Sequence, residues 1–155
     1  MFLSTTFKST VLKLTGLALP LVLAAAAQAS SEMRLSLGFT SMQANGETVG
    51  SYGLSNIASR DSGGEFCLGY ADRDPDHIVT LEQDFSQLTI AVDSSGADTT
   101  LLIQGPNNTV RCNDNASRQN RDAKIQDAFT QGTYQVWVGS FESGGRHRYS
   151  LKITE

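Results

Sequence analysis

The chain has 155 residues with 12 basic and 16 acidic side chains, a formal charge of −4. That length allows one modest hydrophobic core and leaves no room for a separate catalytic domain beside it. The acidic balance argues against nucleic acid, whose phosphates reward a basic stripe, and supplies no polybasic anchor for an anionic membrane.

Residues 1–29 have the order of a secretory leader. Lys8 and Lys13 precede an uncharged apolar run, residues 14–27, and Ala27-Gln28-Ala29 supplies the small-residue cleavage site. Thr15, Gly16 and Pro20 interrupt that run, which is in any case shorter than the roughly 20 residues needed to cross a bilayer. Removing 29 residues from 155 leaves 126, in which ten basic residues face sixteen acidic ones, a charge of −6. The expected location is therefore periplasmic or extracellular, with no membrane span after cleavage.

The next segment, residues 30–64, is rich in Ser, Gly, Asn and Thr. It shows no sustained period, and reads as an irregular arm with one or two short strands, for instance around residues 33–39. From residue 65 the pattern changes. Short β-branched and aromatic runs recur at residues 66–70, 77–81, 88–92, 99–104, 109–112, 123–129, 133–140 and 146–154. Leu88, Ile90 and Val92 take every second place, as do Tyr134, Val136 and Val138, and Tyr149, Leu151 and Ile153. Alternation marks strands with one buried face. Ser94-Ser95-Gly96, Gly105-Pro106-Asn107-Asn108 and Ser143-Gly144-Gly145 supply the turns between them. The expected fold is all-β, an antiparallel two-sheet sandwich or jelly roll of seven to eight short strands over residues 65–155.

Cys67 and Cys112 are the two cysteines. In an oxidising compartment a pair with no metal-binding spacing around it is expected to form one disulfide.

Residues 67–155 resemble the bacterial pre-peptidase C-terminal domain. The likeness rests on Asp74-Pro75-Asp76-His77, on Asp98-Thr99-Thr100-Leu101, on Gly105-Pro106, on Cys112-Asn113-Asp114, on the run from Gly132 through Tyr134, Val136 and Val138 to Ser140, and on Tyr149-Ser150-Leu151-Lys152-Ile153. The resemblance implies a β-sandwich with an accessory or binding role and no hydrolysis of its own. No peptidase domain accompanies it in this chain, in contrast to the commoner arrangement.

Asp61-Ser62-Gly63-Gly64 looks like the surroundings of a serine-protease nucleophile. No histidine precedes Ser62 to act as base, so the motif reads as a flexible Ser-Gly loop and no catalytic residue is assigned. Asp72, Asp74, Asp76, Asp98 and Asp114 are the candidates for a structural calcium site, since calcium takes six to eight oxygens and some members of the resembled family bind it. The spacing is not that of an EF-hand. His77 and His147 read as capping or packing residues. Trp137 lies on the opposite strand face from Tyr134 and Val136 and, with Tyr149, Arg146 and Arg148, forms the candidate ligand platform. The expected function is an exported, non-catalytic binding or accessory module whose partner is an extracellular protein or polysaccharide surface. The alternatives are a small secreted protease inhibitor or peptide hydrolase, and a structural envelope component.

Overall fold

The computed structural model describes residues 30–155; the leader expected at residues 1–29 lies outside them. Eleven strands follow one another: β1 (Ser31–Leu35), β2 (Met42–Glu47), β3 (Tyr52–Gly53), β4 (Tyr70–Ala71), β5 (His77–Leu81), β6 (Phe85–Asp93), β7 (Thr99–Gln104), β8 (Val110–Asn113), β9 (Lys124–Phe129), β10 (Gly132–Ser140) and β11 (Arg148–Thr154). They form two sheets. In the first, β10 is central, flanked by β5 and then β1 on one side and by β7 and then β8 on the other, with β4 and β3 continuing from its far end. The second runs β2-β11-β6-β9.

The alternation read from the sequence is the one that packs the sandwich. Leu88, Ile90 and Val92 of β6, Tyr134, Val136 and Val138 of β10, and Leu151 and Ile153 of β11 all turn into one core with Leu101 and Ile103 of β7. Each fully buried aliphatic or aromatic side chain there contributes roughly 1.5–3 kcal/mol. All other strand pairs are antiparallel, but β1 lies parallel to β5, with Ser31 opposite His77 and Leu35 opposite Leu81.

Residues 65–155 carry eight strands, β4 to β11, as expected, and the stretch expected as an irregular arm with one or two short strands carries three more. Its composition hides them for a physical reason. In β2 the half-buried positions are Met42, Ala44 and Gly46, while Gln43 and Asn45 face water. The third inward position is glycine because the Tyr149 ring occupies the space: a Cβ there would lie 2.4 Å from ring atoms. A two-residue alternation whose third member has no side chain leaves little periodic signal. The rest of the arm folds over the outer face of the first sheet. Leu54 packs there with Cys67, Ala71, Leu102 and Trp137 in a second, smaller core. The expected strand at residues 66–70 shrinks to β4, because Cys67 turns inward and its amide bonds the Ser59 carbonyl. Cys67 and Cys112 are joined by a disulfide, and no free cysteine occurs among the described residues.

Candidate functional site

His77 is the first residue of β5 and shares its inward parity with Val79 and Leu81. A polar ring at an inward position must find partners, since an unpaired buried donor or acceptor costs about 1–3 kcal/mol. It finds them on two other strands. The parallel register sets Ser31 beside it, with the hydroxyl 2.6 Å from Nδ1. From the opposite sheet, the Tyr149 hydroxyl lies 2.8 Å from Nε2, the two rings meeting edge to face. One imidazole thus joins β1, β5 and β11. Either neutral tautomer satisfies both nitrogens, because each hydroxyl can donate or accept. His77 is 2% exposed, and burial pulls its pKa down to about 4.

Asp76 precedes the relay. Its amide donates to the Val136 carbonyl, its carbonyl accepts from the Ser31 amide, and its Oδ2 accepts from the Val138 amide at 2.8 Å. Burial raises the Asp76 carboxyl to about 6 against the pull of the Val138 N–H, and the charge of Asp72 adds to the rise. Burial, and then the proximity of Asp76, push the Tyr149 phenol up in turn.

Above these groups a cleft of about 840 Å³ opens between the β1 edge of one sheet and the β2 edge of the other. Asn45 and Glu47 form one wall, Tyr52 another, and Asp72, Arg73 and Asp74 the rim. The Arg73 guanidinium sits 4.9 Å from the centre of the Tyr52 ring, and the Arg73 carbonyl accepts from the Trp137 indole N–H at 3.2 Å. The rim is therefore anchored through a buried tryptophan. Glu47 also carries an ion pair, to Arg146 at 2.6 Å.

The candidate residues of the sequence separate in this geometry. Asp72, Asp74 and Asp76 line the cleft, whereas Asp98 pairs with Arg121 at 3.3 Å and Asp114 follows β8; neither of the latter lines the cleft. Among the described residues no group of three or more His, Cys, Asp or Glu side chains is placed to hold a metal ion. The five-carboxylate calcium set does not converge, since two of its members sit elsewhere and Asp76 has an oxygen committed to the backbone. Trp137 is 4% exposed and belongs to the second core, so it is not a surface platform. Tyr149 is in the site, but as a buried member of the relay. Arg146 reaches the cleft only through Glu47, and Arg148 is exposed on the face of β11 opposite Tyr149. The Asp61-Ser62-Gly63-Gly64 segment is a turn: Asp61 Oδ1 accepts from the Gly63 and Glu65 amides, and the Ser62 hydroxyl accepts from the Val110 amide at 3.0 Å. Ser31, Asn45, Glu47, Tyr52 and Arg73 are not among the candidates of the sequence, and His77 reads there only as a capping or packing residue. The signal for His77 was its phase with Val79 and Leu81; Ser31 carried none.

No family model matches the chain. No curated protein matches it either. Solved structures do resemble it. The chain is similar to the pre-peptidase C-terminal domain of a collagenase from Bacillus anthracis at 12% identity and a TM-score of 0.47, over 83% of this chain and 99% of that one. It is similar to PliG of Aeromonas hydrophila, a periplasmic inhibitor of g-type lysozyme, at 13% identity and a TM-score of 0.44, over 83% and 98%. A third likeness is to CorA of Methylomicrobium album BG8, a surface-associated copper-binding protein, at 12% identity and a TM-score of 0.39, over 83% and 99%. At these identities and scores none of the three assigns a ligand or a residue role to this chain.

Proposed function

We propose that this protein is an exported, non-catalytic binding module that holds its ligand in the cleft between β1 and β2. The observation that carries this reading is the cleft itself: about 840 Å³, walled by polar side chains from both sheets and floored by a buried, fully paired relay. Sites of this kind are concave, largely preformed and provided with a few placed polar groups. Export is supported by the leader-like residues 1–29 and by the Cys67–Cys112 disulfide, which belongs to an oxidising compartment. Among the described residues no helix is long and apolar enough to cross a membrane.

The Ser31–His77 hydrogen bond, 2.6 Å long, favours one competing reading, a serine hydrolase. Two features weigh against it. An imidazole whose pKa is near 4 is a poor base at neutral pH, and its far nitrogen meets the Tyr149 hydroxyl where a triad would have a carboxylate to stabilise the imidazolium. A fluorophosphonate probe tests this directly: labelling of the wild type should equal the background seen with Ser31→Ala, and Ser31-dependent labelling would overturn the non-catalytic reading. Chemical-shift mapping on isotope-labelled protein tests the cleft. Arginine, glucosamine and chito-oligosaccharide are titrated in turn. Shifts clustered at Glu47, Tyr52, Asp72 and Asp76 are expected with at least one of them, whereas shifts confined to other surfaces would move the site.

A further inference from the structure

Sheet edges offer unpaired backbone N–H and C=O groups, and proteins ordinarily blunt them with charge, proline, shortness or a covering element. Most edges of this sandwich are blunted in one of these ways. β8 and β9 cover each other: the Lys124 amide donates to Asn113 Oδ1, and Arg111 reaches both Asp127 and the Ala128 carbonyl. β3 is two residues long, and β1 carries Glu32 and Arg34. β2 differs. It runs for six residues, Met42–Glu47, with no lysine, arginine or proline and a single charge at its end. Among the described residues no strand pairs with its outer edge. That edge leads into the cleft, where Asn45, Gly46 and Glu47 form the wall.

The electrostatics of the cleft select what would lie there. Its carboxylates are Glu47, Asp72, Asp74 and Asp76, and its one arginine, Arg73, is stacked on Tyr52. Glu47 is already paired with Arg146, but Asp72, Asp74 and Asp76 carry no ion pair among the described residues, so an acidic segment would be repelled by them, while lysine or arginine side chains would be drawn in and would offset the cost of the half-buried Asp76 carboxylate. We propose that β2 accepts an extended, basic segment of a protein partner as an added strand, with its lysine or arginine side chains reaching the carboxylates of the cleft. Backbone pairing along β2 would supply affinity and the cleft would supply selectivity, which is the division of labour in strand addition. This inference rests on the cleft being the binding site, and it adds the partner's backbone geometry and charge.

The probe is a short end-blocked peptide of alternating valine and lysine, titrated into the isotope-labelled protein and followed by amide shifts. Two N-methylated versions are made, with methyl groups on alternate residues and offset from each other by one position. Because only alternate N–H groups of an added strand point at its neighbour, one version should bind at least about tenfold more weakly and the other nearly as well as the parent. Shifts are expected along Met42–Glu47 as well as at Asp72 and Asp76, and Asp72→Asn should weaken binding several-fold without lowering the Tm. A matching valine–glutamate peptide should not bind. Shifts confined to the cleft, or equal affinity of both methylated peptides, would overturn strand addition while leaving the cleft as the site. Equal binding of the acidic peptide would overturn the charge selection. Absence of any shift with the basic peptide would overturn the proposal, and the small-molecule titrations would still judge the cleft independently.

Discussion

The two long sides of the sandwich are closed in opposite ways. Along β8 and β9 the sheets are stapled by exposed or half-exposed groups. Arg111 bonds Asp127 and the Ala128 carbonyl, both at 2.7 Å, and its guanidinium lies 4.4 Å from the centre of the Phe129 ring. Partial desolvation works against the Asp127 carboxylate, yet its bonds to Arg111 and the Ala128 amide hold its pKa below the usual value. Along β1 and β2 the sheets meet through one buried neutral relay, Ser31–His77–Tyr149, and space remains above it. On that side the charge-assisted bonds of Arg111 commit the edge groups to one another. A side joined only at its floor keeps an unpaired edge, a cleft and titratable groups together, and binding is expected there.

The largest effect should come from the disulfide that fastens β8 to the segment over the outer face. Cys67 and Cys112 close a loop of 45 residues, and replacing both by serine should cost roughly 4 kcal/mol in urea unfolding. Trp137, the sole tryptophan, shares the small core with Cys67, so its emission reports the transition. An unchanged midpoint would mean that the second core holds the segment without the bridge.

The open side should show itself in pH dependence. For His77 the folded pKa lies below the unfolded one, at about 4 against 6.5. The stability it contributes is complete above 6.5 and is lost as pH falls through 4, up to roughly 3 kcal/mol. For Asp76 the folded pKa lies above the unfolded one, at about 6 against 3.8. Its contribution is complete below 3.8 and is lost as pH rises through 6, roughly 2 kcal/mol after allowance for partial exposure. The two oppose each other between pH 4 and 6 and leave the wild type nearly level. Relative to it, Asp76→Asn should lose stability on acidification across that window, and His77→Gln should gain it. Parallel profiles for all three proteins would show that these groups do not feel the burial described.

A smaller contrast separates single bonds on the two sides. Tyr149→Phe strands a buried His77 nitrogen and should cost about 1–3 kcal/mol. Arg111→Ala removes a partly exposed staple whose acceptors can turn to water, and about 1 kcal/mol is expected. If the order were reversed, the exposed side would be the stronger seam.

Much of this sandwich was legible from residue order. The strands at residues 77–81 and 99–104 have the expected bounds, and the inward faces of β6, β10 and β11 follow directly from alternation. What was not legible depends on neighbours far away in the chain. β2 is hidden because Tyr149 forces a glycine into its pattern. Trp137 does lie on the face opposite Tyr134, as parity requires, but residues 54–71 cover that face and turn a candidate platform into core. His77 advertised an inward position by its phase, while its partner lies 72 residues on, in the other sheet.

The five aspartates of the calcium expectation are separated for the same reason, and calcium gives the smallest predicted effect. The five candidate aspartates, spread over the 43 residues from Asp72 to Asp114, look like a ligand set only if the fold brings them together. Here three line the cleft, one is paired with Arg121 and one follows β8. Calcium needs six to eight oxygens at about 2.3–2.6 Å, and two carboxylates on a solvent-open rim beside a half-buried third bind it weakly at best. The Tm should therefore be the same in millimolar calcium and in chelator. A rise of several degrees would mean that the cleft closes on the ion, drawing Asp72 and Asp74 toward Asp76, and such closure would convert the open side of the sandwich into a second sealed one.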